Sequence, residues 1–296
     1  MLGAQSIWLG HNNVVVAGGM ESMSNAPHLV HVRAGVRFGS GELIDHMQHD
    51  GLVDAFDKHA MGVCAEVTAE KMGFTRAEQD RFALQSYART KAAVESGRFN
   101  EEIVPVTVRS KKGDTVVSED EGFRKVVPER VASLPPAFRK NGTVTAANAS
   151  SINDGASALV LVSRARCEEL RLKPLARIVG MGDAAGAPID YPTAPALAIP
   201  KALAMAGLSA KDIDFWEINE AFAVVVLANL KLLNVSESIC NVNGGAVALG
   251  HPIGSSGARI IVSLVNILKQ NKARYGCAAI CNGGGGASSV VIENLQ

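Results

Sequence analysis

The sequence predicts a layered α/β protein of two similar β-α-β-α-β-α-β-β halves, the first incomplete and carrying an inserted α/β loop domain. Three observations carry this. From residue 175 onward, apolar runs of strand length alternate with stretches of helical length in that order. Ahead of them, residues 2–19 and 156–170 supply a helix end, two apolar strands and a short helix, the closing part of such a unit without its opening. Between these, from about residue 21 to 153, the composition shifts to Met-, His- and Gly-bearing loops and polar, Pro-containing segments.

In order, residues 2–9 have the pattern of a helix end, and Val14-Val15-Val16-Ala17 that of a buried strand running to Gly18-Gly19. No capping residue precedes the helix. The expectation is that the chain starts inside an element and that on the order of 80 to 100 residues of the first half lie upstream. Two strands without further partners would leave apolar faces bare. In the insertion, helices are expected near 42–49 and over 62–72. Thr75 and Glu78 form a capping box that opens a helix to about residue 96, where Gly97 stops it. Residues 103–108 and 115–118 suit a short β pair, and the charge runs around 109–112 and 119–121 a solvated surface.

A strand over 156–163 and a short helix over 164–170 follow. The last part alternates strand 175–179, helix 196–206 closed by Gly207, strand 214–218, helix 220–233, strand 238–242 and helix 255–270, then two strands at 275–281 and 287–293. This order suits a mostly parallel sheet. The expected division is 1–22 with 153–172 as the remnant of the first domain, 23–152 as the insertion and 173–296 as the second domain.

Composition narrows the function. With 29 basic and 29 acidic residues the chain has no charge bias toward nucleic acid or a membrane surface, and no apolar run reaches spanning length. Five cysteines, at 64, 167, 240, 277 and 281, show neither a CxxC nor a disulfide framework, which fits a reducing compartment and no structural zinc.

The chemistry concentrates at 243–259. His251 stands between glycine turns, Pro252 stiffens the bend, and an apolar helix follows. A histidine held there serves proton transfer near neutral pH or simply caps the helix. Asn219-Glu220-Ala221-Phe222 and Cys281-Asn282-Gly283-Gly284-Gly285-Gly286 likewise put polar or reactive side chains at strand ends, where open α/β sheets bind ligands. Cys281 by itself suits a buried small hydrophobe as well as a reactive thiol. The glycine runs do not make a dinucleotide site, because no G-x-G-x-x-G opens a helix.

Five stretches in order, 16–25, 142–150, 219–222, 243–259 and 281–287, are similar to those of thiolases, most of all the mitochondrial-type acetyl-CoA acetyltransferases. The resemblance implies two similar α/β halves with a loop domain in the first. It also implies ping-pong chemistry, in which a cysteine takes an acetyl group from acetyl-CoA and a second, deprotonated acetyl-CoA attacks it. The reverse reaction cleaves acetoacetyl-CoA with CoA. On this resemblance His251 activates the nucleophile, Cys281 is the base at the α-carbon, Asn219 holds a water that joins His251 in one oxyanion site, and the Gly283 amide serves the other. Ser150 contacts the pantetheine arm, and the carbonyls of Ala146, Ala147, Ala149 and Val247 hold potassium. No tightly bound cofactor is implied beyond the coenzyme A thioester substrate. A homodimer or tetramer is expected, in mitochondria rather than the cytosol, with no nucleic-acid or membrane partner.

The chain departs from the pattern in three places. The family's nucleophilic cysteine falls before the position of Met1, and none of the five cysteines present replaces it on sequence grounds. Phe56 stands where a hydroxyl-bearing aromatic belongs in the potassium site, and His59 lies one place early for the family's His-Met-Gly. The alternative to an acetyltransferase is therefore a catalytically inactive thiolase-like CoA-binding or subunit-pairing protein.

Overall fold

A computed structural model describes residues 1–296. Helix α1 (Leu2–Trp8) leads into strand β1 (Val14–Ser22), which runs straight through the Gly18-Gly19 pair. Its partner is the distant β6 (Asp154–Val162), antiparallel from Val14↔Val162 to Ser22↔Asp154. The intervening chain is thereby closed off as a lobe. It holds the short pair β2 (His28–Leu29) and β3 (Ile44–Asp45), helices α2 (Met61–Met72) and α3 (Arg76–Glu95), the pair β4 (Val106–Val108) and β5 (Thr115–Val117), and α4 (Pro128–Val131).

The capping box at Thr75 and Glu78 forms as expected, and Gly97 takes the left-handed conformation (φ +71°) just past α3. The helix expected near 42–49 does not form. Two strand residues form instead, and Asp45 Oδ1, accepting from the Met47 (2.9 Å) and Gln48 (3.4 Å) amides, caps a π-turn over Met47–Gly51.

After α5 (Arg164–Glu169) come β7 (Ala176–Ala185), α6 (Pro195–Ala206), β8 (Phe215–Ile218), α7 (Ala223–Leu233), α8 (Ala246–Leu249), α9 (Ile253–Asn271), β9 (Tyr275–Asn282) and β10 (Gly286–Asn294). The sheet has the order β7-β10-β9-β8, and only β8 and β9 are parallel. The expectation of a mostly parallel sheet is corrected by the β9–β10 hairpin, which forces two antiparallel ladders.

The strand expected at 238–242 shrinks to a 3-10 turn (Glu237–Ile239) and one bridge, Cys240 to Trp216. Asn241, at φ +48°, replaces the ladder with its side chain: Oδ1 accepts from the Ile218 amide (2.9 Å) and Nδ2 donates to the Ile218 carbonyl (2.8 Å). A side-chain amide satisfies the edge of β8 that a strand would have paired.

Helix α9 is the middle layer. Its Ile260, Leu264 and Leu268 pack with Ala4 of α1 on one side and with Met181, Ala278, Val290 and Ile292 of the four-stranded sheet on the other. Residues of α6 and α7 cover that sheet's opposite face, in a core around Trp216, Ile199, Leu203 and Val291. The outer face of the β1–β6 pair stays bare, with Val16 and Met20 each 72% exposed and Val160 66%.

Candidate active site

The site is assembled where β8 and β9 end. Asn219 directly follows β8, and its amide donates to the Ala279 carbonyl of β9 at 2.9 Å. Cys281 lies two residues further along β9, and the hairpin after it turns at Gly284 (φ +85°) and Gly285 (φ +90°). A β-carbon on Gly285 would overlap the Gly186 carbonyl, so this turn admits only glycine. Gly283 is exposed beside Met61.

Residues 148–150 lie against 221–223. Ala149 bridges Phe222, the Ser150 amide donates to the Ala221 carbonyl (3.0 Å), and the Ala223 amide to the Asn148 carbonyl (2.8 Å). Cys281, Ala149, Ala221, Phe222, Cys64 and Tyr191 share one apolar cluster. Ser150, Asn219 and Cys281, far apart in sequence, are thus gathered by two backbone pairings and one patch of core.

Glu220, fully buried, anchors the same turn. It accepts from Ser86 Oγ (2.7 Å), Asn241 Nδ2 (2.9 Å) and the Val247 amide (3.0 Å), while burial raises its pKa. A β-carbon on Gly245 would strike its carboxyl. One on Gly244, at φ +81°, would strike Thr90 and the Ser86 carbonyl, so the Gly244-Gly245 pair before α8 is squeezed between α3 and a buried carboxyl group.

His251 is held at both ring nitrogens. Its Nδ1 lies 2.6 Å from Ser256 Oγ, and that hydroxyl donates to the Pro252 carbonyl at 3.0 Å, so Nδ1 carries the proton and Ser256 accepts it. Nε2 is left bare, 3.2 Å from the Asn219 amide nitrogen, which donates to it. Burial, aided by the Arg259 cation, pushes the imidazole down to about 4. Burial pushes the Cys281 thiol up to about 12. At neutral pH the imidazole is therefore an unprotonated base and Cys281 a protonated acid.

The candidate potassium residues fall mostly together. A cavity of about 500 Å³ is lined by Ala146, Ala147, Val247 and Tyr87, with Ser151 and Asn153 toward the His251 loop. Ala149 is not part of that lining, since it pairs with Phe222. Phe56 is 73% exposed and does not reach the cavity; the aromatic hydroxyl there belongs to Tyr87, on α3. No sequence spacing singled out Tyr87, which approaches the loop only because α3 packs beside α8. Ser256 also escaped notice, although a hydroxyl one turn into the helix after His251 is the signal that would have found it. His59 is exposed.

The other cysteines are no substitute for a nucleophile beside His251. Cys240 and Cys277 are buried in the α6–α7 core, Cys64 is buried with its thiol pushed up to about 11, and Cys167 belongs to α5.

A histidine bonded to Asn219 at the end of β8, and a cysteine at the end of the neighbouring β9, are the candidate acid–base groups of an acyl-transfer site. The family description "Thiolase, N-terminal domain" matches residues 1–165 and "Thiolase, C-terminal domain" residues 172–294. The chain belongs to the thiolase family. It is 56% identical to acetyl-CoA acetyltransferase 2 of Arabidopsis thaliana, over all of this chain and 74% of that protein. It is 54% identical to the mitochondrial acetyl-CoA acetyltransferase of Bos taurus, over all of this chain and 70% of that one. Among solved structures, the Acat5 thiolase of Ascaris suum in complex with coenzyme A superposes with a TM-score of 0.94 at 49% identity, over 99% of this chain and 75% of that one.

Proposed function

We propose that the chain is an acetyl-CoA C-acetyltransferase, an acetoacetyl-CoA thiolase in the cleaving direction, working through an acyl-cysteine whose sulfur is none of its five. The observation that carries this reading is the geometry at the ends of β8 and β9: His251 with Nδ1 held by Ser256 and Nε2 facing the Asn219 amide, and Cys281 at the end of β9. In cleavage, His251 takes the proton from the attacking thiol. The thiolate adds to the 3-keto carbon of acetoacetyl-CoA, the C–C bond breaks toward the thioester, and Cys281 protonates the departing acetyl-CoA enolate. Free CoA then takes the acetyl group from the enzyme thiol. Condensation runs the same steps backward, with Cys281 removing an α-proton. Asn219 with His251 and the Gly283 amide stabilise the developing oxyanions, and Ser150 contacts the pantetheine arm.

Residues 23–152 are read as the inserted domain between the 1–22 and 153–172 segments of the first domain, with 173–296 as the second; the Ser22↔Asp154 pairing supports this division. Ala146, Ala147 and Val247, with Tyr87, bring backbone carbonyls and a hydroxyl to the cavity, hard oxygen donors that suit potassium, while Ala149 lies outside the lining and Lys125 and Arg130 are part of it. The ion would brace the loop that carries Ser150. A homo-oligomer and a mitochondrial location complete the reading, the latter supported by the bovine relative's name.

A second reading, a CoA-binding protein without turnover, is favoured by the burial of four of the five thiols. Exchange of acetyl-CoA α-protons in D2O, followed by mass spectrometry, separates the two because it needs Cys281 but no acyl-cysteine. Exchange that disappears in Cys281→Ala supports the acetyltransferase; CoA binding without exchange supports the second reading. Thiolysis of acetoacetyl-CoA by the purified chain would overturn the statement about its cysteines.

A further inference from the structure

Arg259 projects from α9 toward the end of β8, largely buried. Its Nη1 donates to Glu217 Oε2 and its Nη2 to Asn219 Oδ1, each at 3.4 Å. The second bond decides which way the Asn219 amide faces. An amide has an acceptor end and a donor end, and with the oxygen taken by the guanidinium, the nitrogen must point at His251. A reversed amide would set its oxygen against the Nε2 lone pair and its NH2 against a cation, two repulsive contacts. Ser256 fixes the other ring nitrogen as the proton carrier. The chain Glu217–Arg259–Asn219–His251–Ser256–Pro252 thus has a single consistent pattern of donors and acceptors.

We infer that Arg259 is a positioning residue: by donating to Asn219 Oδ1 it turns the amide nitrogen toward His251 Nε2. Its charge adds to burial, the larger cause, in holding the imidazole unprotonated. This rests on the acetyltransferase reading only in treating His251 as the base.

The surroundings leave the guanidinium charge effective. The acidic groups that face it are Glu217 on β8, Glu220 in the turn beyond, Glu102 after α3 and Asp120 after β5, and burial raises the pKa of all four. Glu217, pushed up to about 8 and so protonated at neutral pH, does not cancel the cation it touches. Glu21 of β1 approaches the same turn from the other side and accepts from the Gly254 amide at 3.2 Å. Of all these groups, Arg259 is the charged neighbour that shifts His251. The sequence offered no hint of this role, because an arginine eight residues after a histidine is ordinary helix surface.

The test is an NMR titration of the His251 ring nitrogens in the 15N-labelled full chain, assigned with His251→Ala. The native imidazole should stay neutral, with its proton on Nδ1, down to a pKa of about 4. Arg259→Met, which removes charge and donors, should raise that value by at least about one unit and loosen the Nδ1–H preference. Arg259→Lys keeps the charge and should stay within about half a unit of native. A loss of packing alone would move both variants alike. An unchanged titration in Arg259→Met, or equal shifts in both variants, overturns the inference. Should Arg259→Met fail to fold by circular dichroism, Arg259→Lys decides: a value near native supports the role, and a rise of a full unit overturns it. The readout needs no turnover, so a chain without acyl-transfer chemistry would sink the acetyltransferase reading and leave this one standing.

Discussion

Gly19 on β1 and Gly254 at the start of α9 touch backbone to backbone: a β-carbon on Gly19 would overlap the Gly254 carbonyl, and one on Gly254 would overlap the Met20 carbonyl. Gly155 on β6 likewise faces the Pro252 ring. The turn that carries His251 is therefore pressed against the β1–β6 pair. Gly19→Ala should destabilise the protein by about 2 kcal/mol or more through overpacking against backbone that cannot retreat. Urea unfolding measures this, and a change below about 0.5 kcal/mol would show that the two segments yield.

The Asn241 side chain makes two buried hydrogen bonds with the Ile218 backbone and one to Glu220, and its oxygen also accepts from Cys240 Sγ. Asn241→Ala leaves a buried N–H, a carbonyl and a carboxyl short of partners, and should cost on the order of 3 kcal/mol. Asn241→Asp keeps the acceptor for the Ile218 amide but loses the Nδ2 donor to the Ile218 carbonyl and to Glu220, so it should rescue little. Midpoints of both variants against the native chain test this; a stable Asn241→Ala would mean that water replaces the amide.

Two buried groups contribute opposed slopes to the pH dependence of stability. His251 titrates at about 4 in the fold against an ordinary 6.5, so between these values the unfolded chain binds a proton the fold refuses, and stability rises with pH. Burial pushes Glu217 up to about 8 from an ordinary 4.5, so in that window the fold holds a proton the unfolded chain has lost, and stability falls as pH rises. The slopes oppose each other up to pH 6.5, and above it Glu217 dominates. Stability should drop by roughly 2 kcal/mol from pH 6.5 to 8, and Glu217→Gln should flatten most of that drop. Equal slopes in native and variant protein would count against a neutral Glu217.

The outer face of the β1–β6 pair presents Val16, Met20 and Val160 to solvent in one apolar patch. Such a face favours self-association. The isolated chain should elute as oligomer or aggregate in size-exclusion chromatography, and Val16→Thr combined with Met20→Lys and Val160→Thr should shift it toward monomer with little change in unfolding midpoint. A native chain that already runs as a monomer would contradict this.

Local features were legible in the sequence wherever they have local causes. The Thr75–Glu78 capping box, the stops at Gly97 and Gly207, the two final strands either side of the glycine run and the helix α9 each follow from residues within a few positions of one another. Asn219, His251 and Cys281 stood out for the same reason: each is a chemical side chain beside a glycine or turn signal at a strand end. Sequence patterns misled where side chains bond to backbone. Asp45 caps a π-turn in place of an expected helix, and Asn241 takes the place of an expected strand.

What the sequence alone determined is the layered α/β class, most of the element order and three candidate residues of the site, because periodicity and turn chemistry act over one or two turns of chain. What only the tertiary structure decided is which distant groups complete the site. Tyr87 rather than Phe56 faces the Ala146–Val247 cavity, Ser256 fixes the His251 proton, and Arg259 meets Asn219. Those relationships depend on helix packing across sequence separations that no local pattern encodes, and on burial, which sets the charge of His251, Glu217 and Cys281 only once the layers have closed around them.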